Sequence, residues 1–425
     1  MEHLEILSPG KKIRNIRKKL GIKQYEITGG EITRNLISII ENDKAALTKN
    51  VAKIIADNIN KACDEKEIDF HISYLYLMES EKDQAIKIVD KYIEKTSVDN
   101  FNDLQKLERF ISTYDVGNRK SIVYERIADY YRSINDFYKS YTYYIRAYES
   151  SAKEMNHYNV KLLLKLSSIC RIFAKYEEAL EYNNLINIDD SILEMDLSFE
   201  VYQDRIDLFM LLEKYEMALA EIEYLEDKYE DIPAEIYQVL IDTKAKCFVK
   251  SKRYSEALAI QHNLLENDNS KYDILAIKRN LLEIYMLLRD NRNTRRIINE
   301  CLELLSNPKE QYKQQKYINI FYSVAAAASS IGELDLGKEY YMHCINASKK
   351  NKDIEMLLKG LESLFDIYSK ENNIEEIDSL KNEMIEIISM RAETKGHVLV
   401  FKILSFYNMI NDQDTISGFL SFVLE

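Results

Sequence analysis

The chain has 425 residues and a formal net charge of −13 at pH 7, with 46% hydrophobic and 30% charged residues. This balance excludes a disordered protein, and 10 Gly with 3 Pro are too few for the turns of a strand-rich fold. The length exceeds that of one ordinary core. We therefore predict an all-α protein with several domains or one extended repeat array.

The first 62 residues predict four short helices. Ser8, followed by a proline, caps the first helix, which ends at Gly21, and Gln24 begins a short second helix. Thr33 and Thr48 cap the third and the fourth. This segment holds 12 Lys and Arg against 7 Asp and Glu, whereas the remainder of the chain holds 46 against 64. The asymmetry predicts a polyanion-binding head on an acidic body.

Three later segments repeat without gaps: FAKYEEAL at 173–180, LEKYEMAL at 212–219 and SKRYSEAL at 251–258. Their tyrosines and alanines recur every 39 residues, at Tyr176, Tyr215 and Tyr254 and at Ala179, Ala218 and Ala257. The same step reaches Phe137 and Ser140 before them and Asn293 after them, and weaker copies lie at 333–341 and 373–380. Each copy predicts two amphipathic helices around a polar turn such as Asn135-Asp136, with a small residue where the helices cross.

This pattern resembles the tetratricopeptide repeat, in which an aromatic residue and an Ala stand at the start of the second helix. The usual period of about 34 residues is stretched here. The resemblance implies a right-handed superhelix whose first helices line a concave, peptide-holding groove. We therefore expect binding rather than catalysis in this part of the chain.

The runs G-I-K-Q from Gly21 and T-R-N-L-I-S-I-I-E-N from Thr33 resemble the helix-turn-helix of Xre/Cro-type repressors. The spacing from Gln24 to Ser38 is one residue shorter than in the phage repressors. Head and array together resemble the RRNPP family of peptide-sensing (quorum-sensing) regulators, which includes Rgg, Rap, NprR, PlcR and PrgX. The resemblance implies a DNA-binding domain over 1–64 and a repeat domain for peptide binding and dimerisation over 65–425.

Within the head, the resemblance places Gln24 on a backbone phosphate and places Arg34 and Asn35 at base edges, where Arg suits guanine and Asn suits adenine. The predicted DNA-binding residues are Gln24, Thr33, Arg34, Asn35, Ser38, Ile39 and Lys44, with Lys11, Lys12 and Lys49 as further phosphate contacts. Alternatively, Thr33, Ser38 and Glu41 form only a helix cap and a structural polar pair, and the basic face is an ordinary solvated one.

Within the array, the resemblance implies Asn side chains on first helices that bond the main chain of an extended peptide. The predicted peptide-binding residues are Asn280 and Asn319, with Arg126, Lys161, Lys165, Gln203, Lys246 and Lys278 as neighbours. Each of these is alternatively an ordinary helix-surface residue. The resulting hypothesis is a transcription regulator whose affinity for double-stranded promoter DNA is set by a short signalling peptide.

A homodimer is expected because one head buries too little DNA for specific binding. The predicted contact is the C-terminal stretch 353–425, whose apolar residues alternatively cap the array: Leu399, Phe401, Leu404 and Phe406. We expect a cytoplasmic location, since the first residues do not have the layout of a secretory signal and no segment is apolar enough to span a bilayer. The five widely spaced cysteines are expected to be buried rather than paired.

No catalytic, metal or cofactor site is predicted, because none of the six His is paired at i, i+4 and neither GxGxxG nor GxxxxGK[ST] occurs. Two alternative functions stay open. One is a protein-interaction adaptor, and the other is a response-regulator phosphatase of the Rap type that uses a repeat-borne Gln. Gln203, Gln238 and Gln261 match no motif for that role, and we interpret them as solvated helix residues.

Overall fold

The computed structural model describes residues 6–95, 101–151, 156–187, 194–229, 232–266, 274–306, 314–389 and 397–424. These residues form 22 α-helices and no β-strand, which confirms the all-α prediction. The chain divides into two compact units, Met1–Glu213 and Lys214–Glu425.

The first unit contains eleven of these helices: α1 (Pro9–Lys19), α2 (Arg34–Glu41), α3 (Lys49–Glu65), α4 (Tyr74–Leu77), α5 (Glu81–Lys95), α6 (Phe101–Thr113), α7 (Arg119–Ser133), α8 (Phe137–Glu149), α9 (His157–Ile172), α10 (Tyr176–Asn184) and α11 (Met195–Leu211). The second unit contains the other eleven: α12 (Tyr215–Lys228), α13 (Ala234–Lys250), α14 (Tyr254–Glu266), α15 (Ile274–Leu287), α16 (Asn291–Leu305), α17 (Gln314–Ser330), α18 (Leu334–Asn351), α19 (Ile354–Lys370), α20 (Ile374–Ser389), α21 (His397–Met409) and α22 (Gln413–Leu424).

The helix caps of the head are those predicted. Ser8, Thr33 and Thr48 each accept a hydrogen bond from a backbone N–H in the first turn of α1, α2 and α3. Gly21 follows the end of α1 with φ of 64°, a left-handed conformation that costs glycine little. The caps therefore determine where three of the four predicted helices begin.

The short second helix that was predicted from Gln24 does not form. Residues 23–32 instead make turns, with backbone bonds such as Glu26 N to Lys23 O and Thr28 N to Tyr25 O. The first turn of a helix is unfavourable by itself, and only further residues stabilise it. Gly29 and Gly30, both at positive φ, end the segment before such residues can be added.

The head core is built mainly from isoleucines, and it extends past the predicted boundary at residue 64. Its fully or nearly buried members include Ile13, Ile22, Ile27, Ile37, Ile40, Ile55, Ile59, Ile72 and Leu77. Asn60 ties the later segment to α3, because its amide bonds both the N–H and the C=O of Ile72 at 2.8 Å. The domain boundary itself stays a prediction.

Second helices of the array begin two residues after a residue with left-handed backbone. These residues have φ between 52° and 86°: Asn135, Ala174, Glu213, Lys252, Arg289, Gly332, Asn372 and Asn411. Four of them, Ala174, Glu213, Lys252 and Arg289, are residue types that rarely adopt this conformation, whereas Gly and Asn adopt it more readily. At those four positions the turn geometry is therefore imposed by the packing of the helices on each side rather than by the residue type.

The fourth residue is small and buried in six of the second helices, as the repeat pattern predicted, whereas in α20 and α22 it is Ile377 and Ile416. The six small residues are Ser140, Ala179, Ala218, Ala257, Thr294 and Gly337, in α8, α10, α12, α14, α16 and α18. At Gly337 a Cβ atom would lie 2.3 Å from the Ser329 hydroxyl and 3.3 Å from the Ala325 carbonyl oxygen, so the Ser329 side chain would have to move to admit one. Helix crossings in the array therefore depend on small residues at this position.

The predicted register is wrong in the copy after Tyr254. Asn293 is the third residue of α16 rather than the first, because α16 begins at Asn291, two residues earlier than the 39-residue step requires. The small buried residue of this copy is Thr294. A shorter repeat unit keeps the same helix crossing and shifts only the spacing.

Other expectations concern the cysteines and the C-terminal apolar residues. All five cysteines are buried and unpaired, as predicted. Leu399 and Phe406 are buried in the core of the last helices, Leu404 packs against that core, and Phe401 is 67% exposed. Most of this set therefore stabilises the end of the array, and the homodimer stays a prediction.

Within the described residues, no helix is long and apolar enough to cross a membrane.

A test of the helix crossings compares two alanines on each of two helices. Ala218→Leu and Ala257→Leu should each lower the free energy of unfolding by about 1–3 kcal/mol, because a larger side chain overpacks the crossing. Ala220→Leu and Ala259→Leu, at exposed positions of the same helices, should change it by less than about 0.5 kcal/mol. Denaturant unfolding measures both, and equal effects at the two kinds of position would contradict the assignment.

Candidate functional site

The exposed start of α2 holds the two side chains that were predicted to read bases. Arg34 and Asn35 are its first two residues and both are exposed. Thr33 precedes them, and its hydroxyl accepts from Leu36 N at 3.2 Å. The opposite face of α2 is anchored in the head core by Ile37 and Ile40. The helix start is therefore held rigidly with its polar side chains outward.

A polar network behind this helix start connects it to α1. Glu41, only 4% exposed, accepts from Arg17 at 2.6 Å and 3.0 Å and from Gln24 Nε2 at 2.8 Å. Gln24 Oε1 accepts in turn from Arg34 Nε at 3.4 Å. The structure thus places Gln24 and Arg34 together, with Gln24 bound inside the protein rather than free at a helix start. Such a network fixes the orientation of its members.

The protonation of Glu41 reflects this network. Burial raises the pKa of Glu41, and the hydrogen bonds from Arg17 and Gln24 lower it by more, so that its pKa lies below the ordinary value of 4.5. The carboxylate form is therefore favoured in the folded protein. Protonation would leave the Arg17 guanidinium without its counter-charge.

The other predicted DNA-binding residues differ in exposure. Ser38 and Ile39 are half-buried, and Lys11, Lys44 and Lys49 are exposed. The prediction that Lys12 contacts a DNA phosphate is wrong. Lys12 is 2% exposed, and its ammonium donates to Tyr76 O at 2.8 Å and to Glu79 at 3.0 Å. It lies on the inner face of α1 and joins the head to the following segment, so it is unavailable to a phosphate.

A test of the network uses pH. A depressed folded pKa gives stability that is present above the ordinary pKa and lost as pH falls through the folded value. Glu41→Gln should therefore lower the free energy of unfolding at pH 7 by about 1.5–3 kcal/mol, and the gap to wild type should narrow by pH 3. Glu31→Gln, at an exposed position, is the control and should have little effect. A gap that stays constant from pH 7 to pH 3 would show that Glu41 does not act through its charge.

In the first unit, two of the four predicted peptide-binding residues are bound to carboxylates of the protein. Lys165 donates to Glu125 at 2.7 Å and to Asp129 at 2.9 Å. Gln203 donates to Asp207 at 2.9 Å. Arg126 is half-buried, and Lys161 is exposed. Lys165 therefore serves as the centre of an ion-pair cluster between α7 and α9, and Lys161 is the one of these four that is presented to solvent.

In the second unit, two predicted residues line one cavity. It has a volume of about 120 Å³ and lies among α13, α14 and α15, with Lys246, Lys250, Gln261, Arg279, Asn280 and Glu283 as its polar lining. Lys278 is 8% exposed and bound to Glu300 at 2.5 Å, away from this lining. Asn319 is exposed on α17 and lies outside the lining as well. The structure therefore brings together Lys246 and Asn280 only.

Gln261 is the cavity residue that the sequence analysis misjudged. It was interpreted as solvated, yet it is 0% exposed, and both atoms of its amide are without a hydrogen-bond partner among the described residues. The helical spacing offered a signal, because Gln261 stands in the buried stripe of α14 with Ala257 and Leu264. A polar residue in an apolar stripe is the informative exception.

The charges around this cavity are mainly positive. Lys246 and Lys250 of α13 and Arg279 of α15 face one lining carboxylate, Glu283. Asp242 lies one turn before Lys246, and burial raises its pKa although Lys246 and Arg279 act to lower it. The arrangement suits a ligand that carries both hydrogen-bonding groups and a negative charge. Within the described residues, no group of His, Cys, Asp or Glu side chains could hold a metal ion.

No protein-family model and no curated protein sequence matches the chain. Similar solved structures include RapI in its apo form, at 17% identity over 63% of this chain and 98% of that one, with a TM-score of 0.36. Bacillus thuringiensis PlcR in complex with the peptide PapR7 and DNA is 11% identical over 64% and 96%, with a TM-score of 0.28. Aspartyl phosphate phosphatase F from Bacillus subtilis is 12% identical over 99% and 95%, with a TM-score of 0.32. At such identities and TM-scores, these likenesses assign no residue of this chain a role.

Proposed function

We propose that the protein is a peptide-responsive transcription regulator. Its head binds double-stranded promoter DNA, and its array binds a short signalling peptide. The observation that carries the first half is the start of α2, where Arg34 and Asn35 stand exposed on a helix that is anchored by the head core. The basic charge of the head, against an acidic remainder, favours the same ligand.

The geometry of the head suits base recognition rather than charge alone. Arg34 is bonded to Gln24, which is bonded to Glu41, so the guanidinium is oriented before DNA arrives. A preorganised side chain loses less freedom on binding than a mobile one. The exposed Lys11, Lys44 and Lys49 supply the cations that neutralise phosphates.

The peptide half of the proposal is supported by the cavity of the second unit. Lys246 and Asn280, both from first helices, line it together. An Asn amide both donates and accepts, which suits a peptide main chain. Dimerisation belongs to the same proposal, because two heads on one operator bury enough DNA for specific binding.

The phosphatase alternative has less support from the glutamines. A catalytic amide must reach a phosphoryl group on a partner protein, yet Gln261 is 0% exposed. Gln203 is bound to Asp207, and half-buried Gln238 lies outside the cavity lining. None of the three is presented as that chemistry requires.

The DNA half is tested with a duplex that the wild-type protein selects from a random pool. Arg34→Ala and Asn35→Ala should each reduce the affinity ratio between selected and scrambled duplex by about tenfold or more, since a bidentate base contact contributes about 1–3 kcal/mol. Lys44→Ala is the matched control: it should weaken binding to both duplexes equally and lower the salt dependence by about one ion. Unchanged ratios in the first two variants would remove α2 from the recognition surface.

The peptide half is tested by passing a pooled heptapeptide library over the full chain and identifying the retained peptides by mass spectrometry. Asn280→Ala and Asn319→Ala should each weaken binding of a retained peptide by about tenfold, because an unmade buried bond costs about 1–3 kcal/mol. Their binding to the selected duplex, measured without peptide, should stay at the wild-type level. Retention of no peptide by the wild-type chain would refute this half of the proposal.

A further inference from the structure

The two residues before Ser8 are bound to α5 in the way that a short peptide is bound. Gln84 of α5 is 8% exposed, and its amide pairs with both main-chain groups of Leu7. Its Oε1 accepts from the Leu7 N–H at 3.1 Å, and its Nε2 donates to the Leu7 C=O at 3.0 Å. The Ile6 side chain packs against the apolar cluster of α5, α6 and α7. We call Ile6 and Leu7 the strap.

The strap lies beside the connection between the head and α5. The head core reaches Leu77, α5 begins at Glu81, and residues 78–80 between them belong to no helix. Gln84 Nε2 also donates to the Glu79 C=O at 3.2 Å, so one amide binds both the strap and the connection. A short irregular connection is where a hinge forms. The strap attaches the head to α5 a second time, and two attachments resist a rotation that one permits.

An ion pair opposes the same rotation. Glu79 accepts from Lys12 of α1 at 3.0 Å and is also bound to Lys87 of α5. Burial raises the pKa of Glu79, and the hydrogen bonds from the two lysines lower it by more, so the carboxylate form is favoured. Rotation of the head would separate Glu79 from Lys12, which is 2% exposed, and would leave that ammonium without its counter-charge.

The contacts of the strap specify the class of ligand that this surface takes. The Gln84 amide bonds main-chain groups, so it accepts any residue in place of Leu7 except proline, which has no N–H. The apolar cluster takes an aliphatic side chain at the preceding position, where Ile6 stands. The matching ligand is therefore an extended segment in which an aliphatic residue is followed by any residue other than proline.

We propose that α5, α6 and α7 form a peptide-type site that the strap occupies, and that this occupancy holds the head on the array. A segment of the same chemistry displaces the strap and leaves residues 78–80 as a hinge. Because the strap is tethered, its effective concentration is in the millimolar range, and a free peptide competes well only when the strap is weakened. The inference goes beyond the proposed function, since its tests need neither DNA nor a signalling peptide.

The first experiment supplies the strap as a separate peptide. The probe is the tetrapeptide Glu-Ile-Leu-Ser, with a fluorophore at its amino end and an amidated carboxy end. The receptor is the full chain with Ile6→Ser and Leu7→Pro, which remove the aliphatic side chain and the bonded N–H. Fluorescence anisotropy should show binding about tenfold or more tighter to this strap variant than to wild type, where the tethered strap competes.

Two matched controls separate the site from general stickiness of the surface. Gln84→Leu in the strap variant should weaken probe binding by about tenfold or more, because both main-chain bonds are lost, whereas Gln105→Leu, at an exposed position of α6, should not change it. A probe with proline in place of leucine should not bind. Equal binding to wild type and strap variant, absent binding to the strap variant, or binding of the proline probe would overturn the site. If Gln84→Leu does not fold, the proline probe decides.

The second experiment measures whether the strap holds the head. Spin labels are placed at Lys61→Cys on α3 and Arg109→Cys on α6, both exposed positions, while the five native cysteines are buried. Pulsed electron resonance should give one narrow distance distribution for the otherwise wild-type chain and a broad one for the strap variant. Lys11→Ala, at an exposed position of α1, is the control and should keep the narrow distribution. An equally narrow distribution in the strap variant would overturn the role of the strap.

Discussion

The close approach of two helices at one small residue is the constraint on which the array depends. The fourth residue of the second helices is buried and is Ala, Ser, Thr or Gly from α8 to α18. At Gly337 even a Cβ atom would displace the Ser329 hydroxyl. Because protein interiors are packed as densely as organic crystals, such a close crossing fixes the positions of the other side chains on both helices. The left-handed turns before α10, α12, α14 and α16 follow from it, since their residues, Ala174, Glu213, Lys252 and Arg289, do not favour such a turn by themselves.

The head also depends on a close contact between two helices, α1 and α2, at which polar groups are paired. Gly10 lets α1 lie against the C-terminal end of α2, because a Cβ there would meet the Ile40 carbonyl oxygen at 1.9 Å. At that contact Glu41 collects bonds from Arg17 and Gln24, and Gln24 accepts from Arg34. A buried carboxylate is stable only when paired and bonded in this way. The packing of α1 against α2 therefore orients the start of α2. Through Gln24, the exposed Arg34 is connected to the buried ion pair of Arg17 and Glu41.

The second unit contains an imperfection of packing at Gln261. Gln261 occupies a position that other repeats fill with a bonded Asn, at Asn183, or with an apolar residue, at Ile222. The Gln261 amide has no hydrogen-bond partner among the described residues, and the side chain borders the cavity among α13, α14 and α15. Sites that bind ligands commonly retain such unfavourable groups, because the ligand supplies the missing partners.

Local chemistry was sufficient for the helix caps and for the small residues of the array. Ser8, Thr33 and Thr48 cap through bonds to their own first turns, and the aromatic-to-Ala spacing reports a crossing within one unit, so neighbouring residues alone determine both. Tertiary packing decided the rest. Lys12 is bound to Glu79, which lies 67 positions away, rather than exposed to solvent. Gln24 is bound to Glu41, and Gln261 is enclosed rather than solvated. Residues distant in the sequence determine each of these outcomes. The sequence shows that these side chains are polar; only the approach of distant helices determines which polar groups find partners and which one is left unpaired beside a cavity.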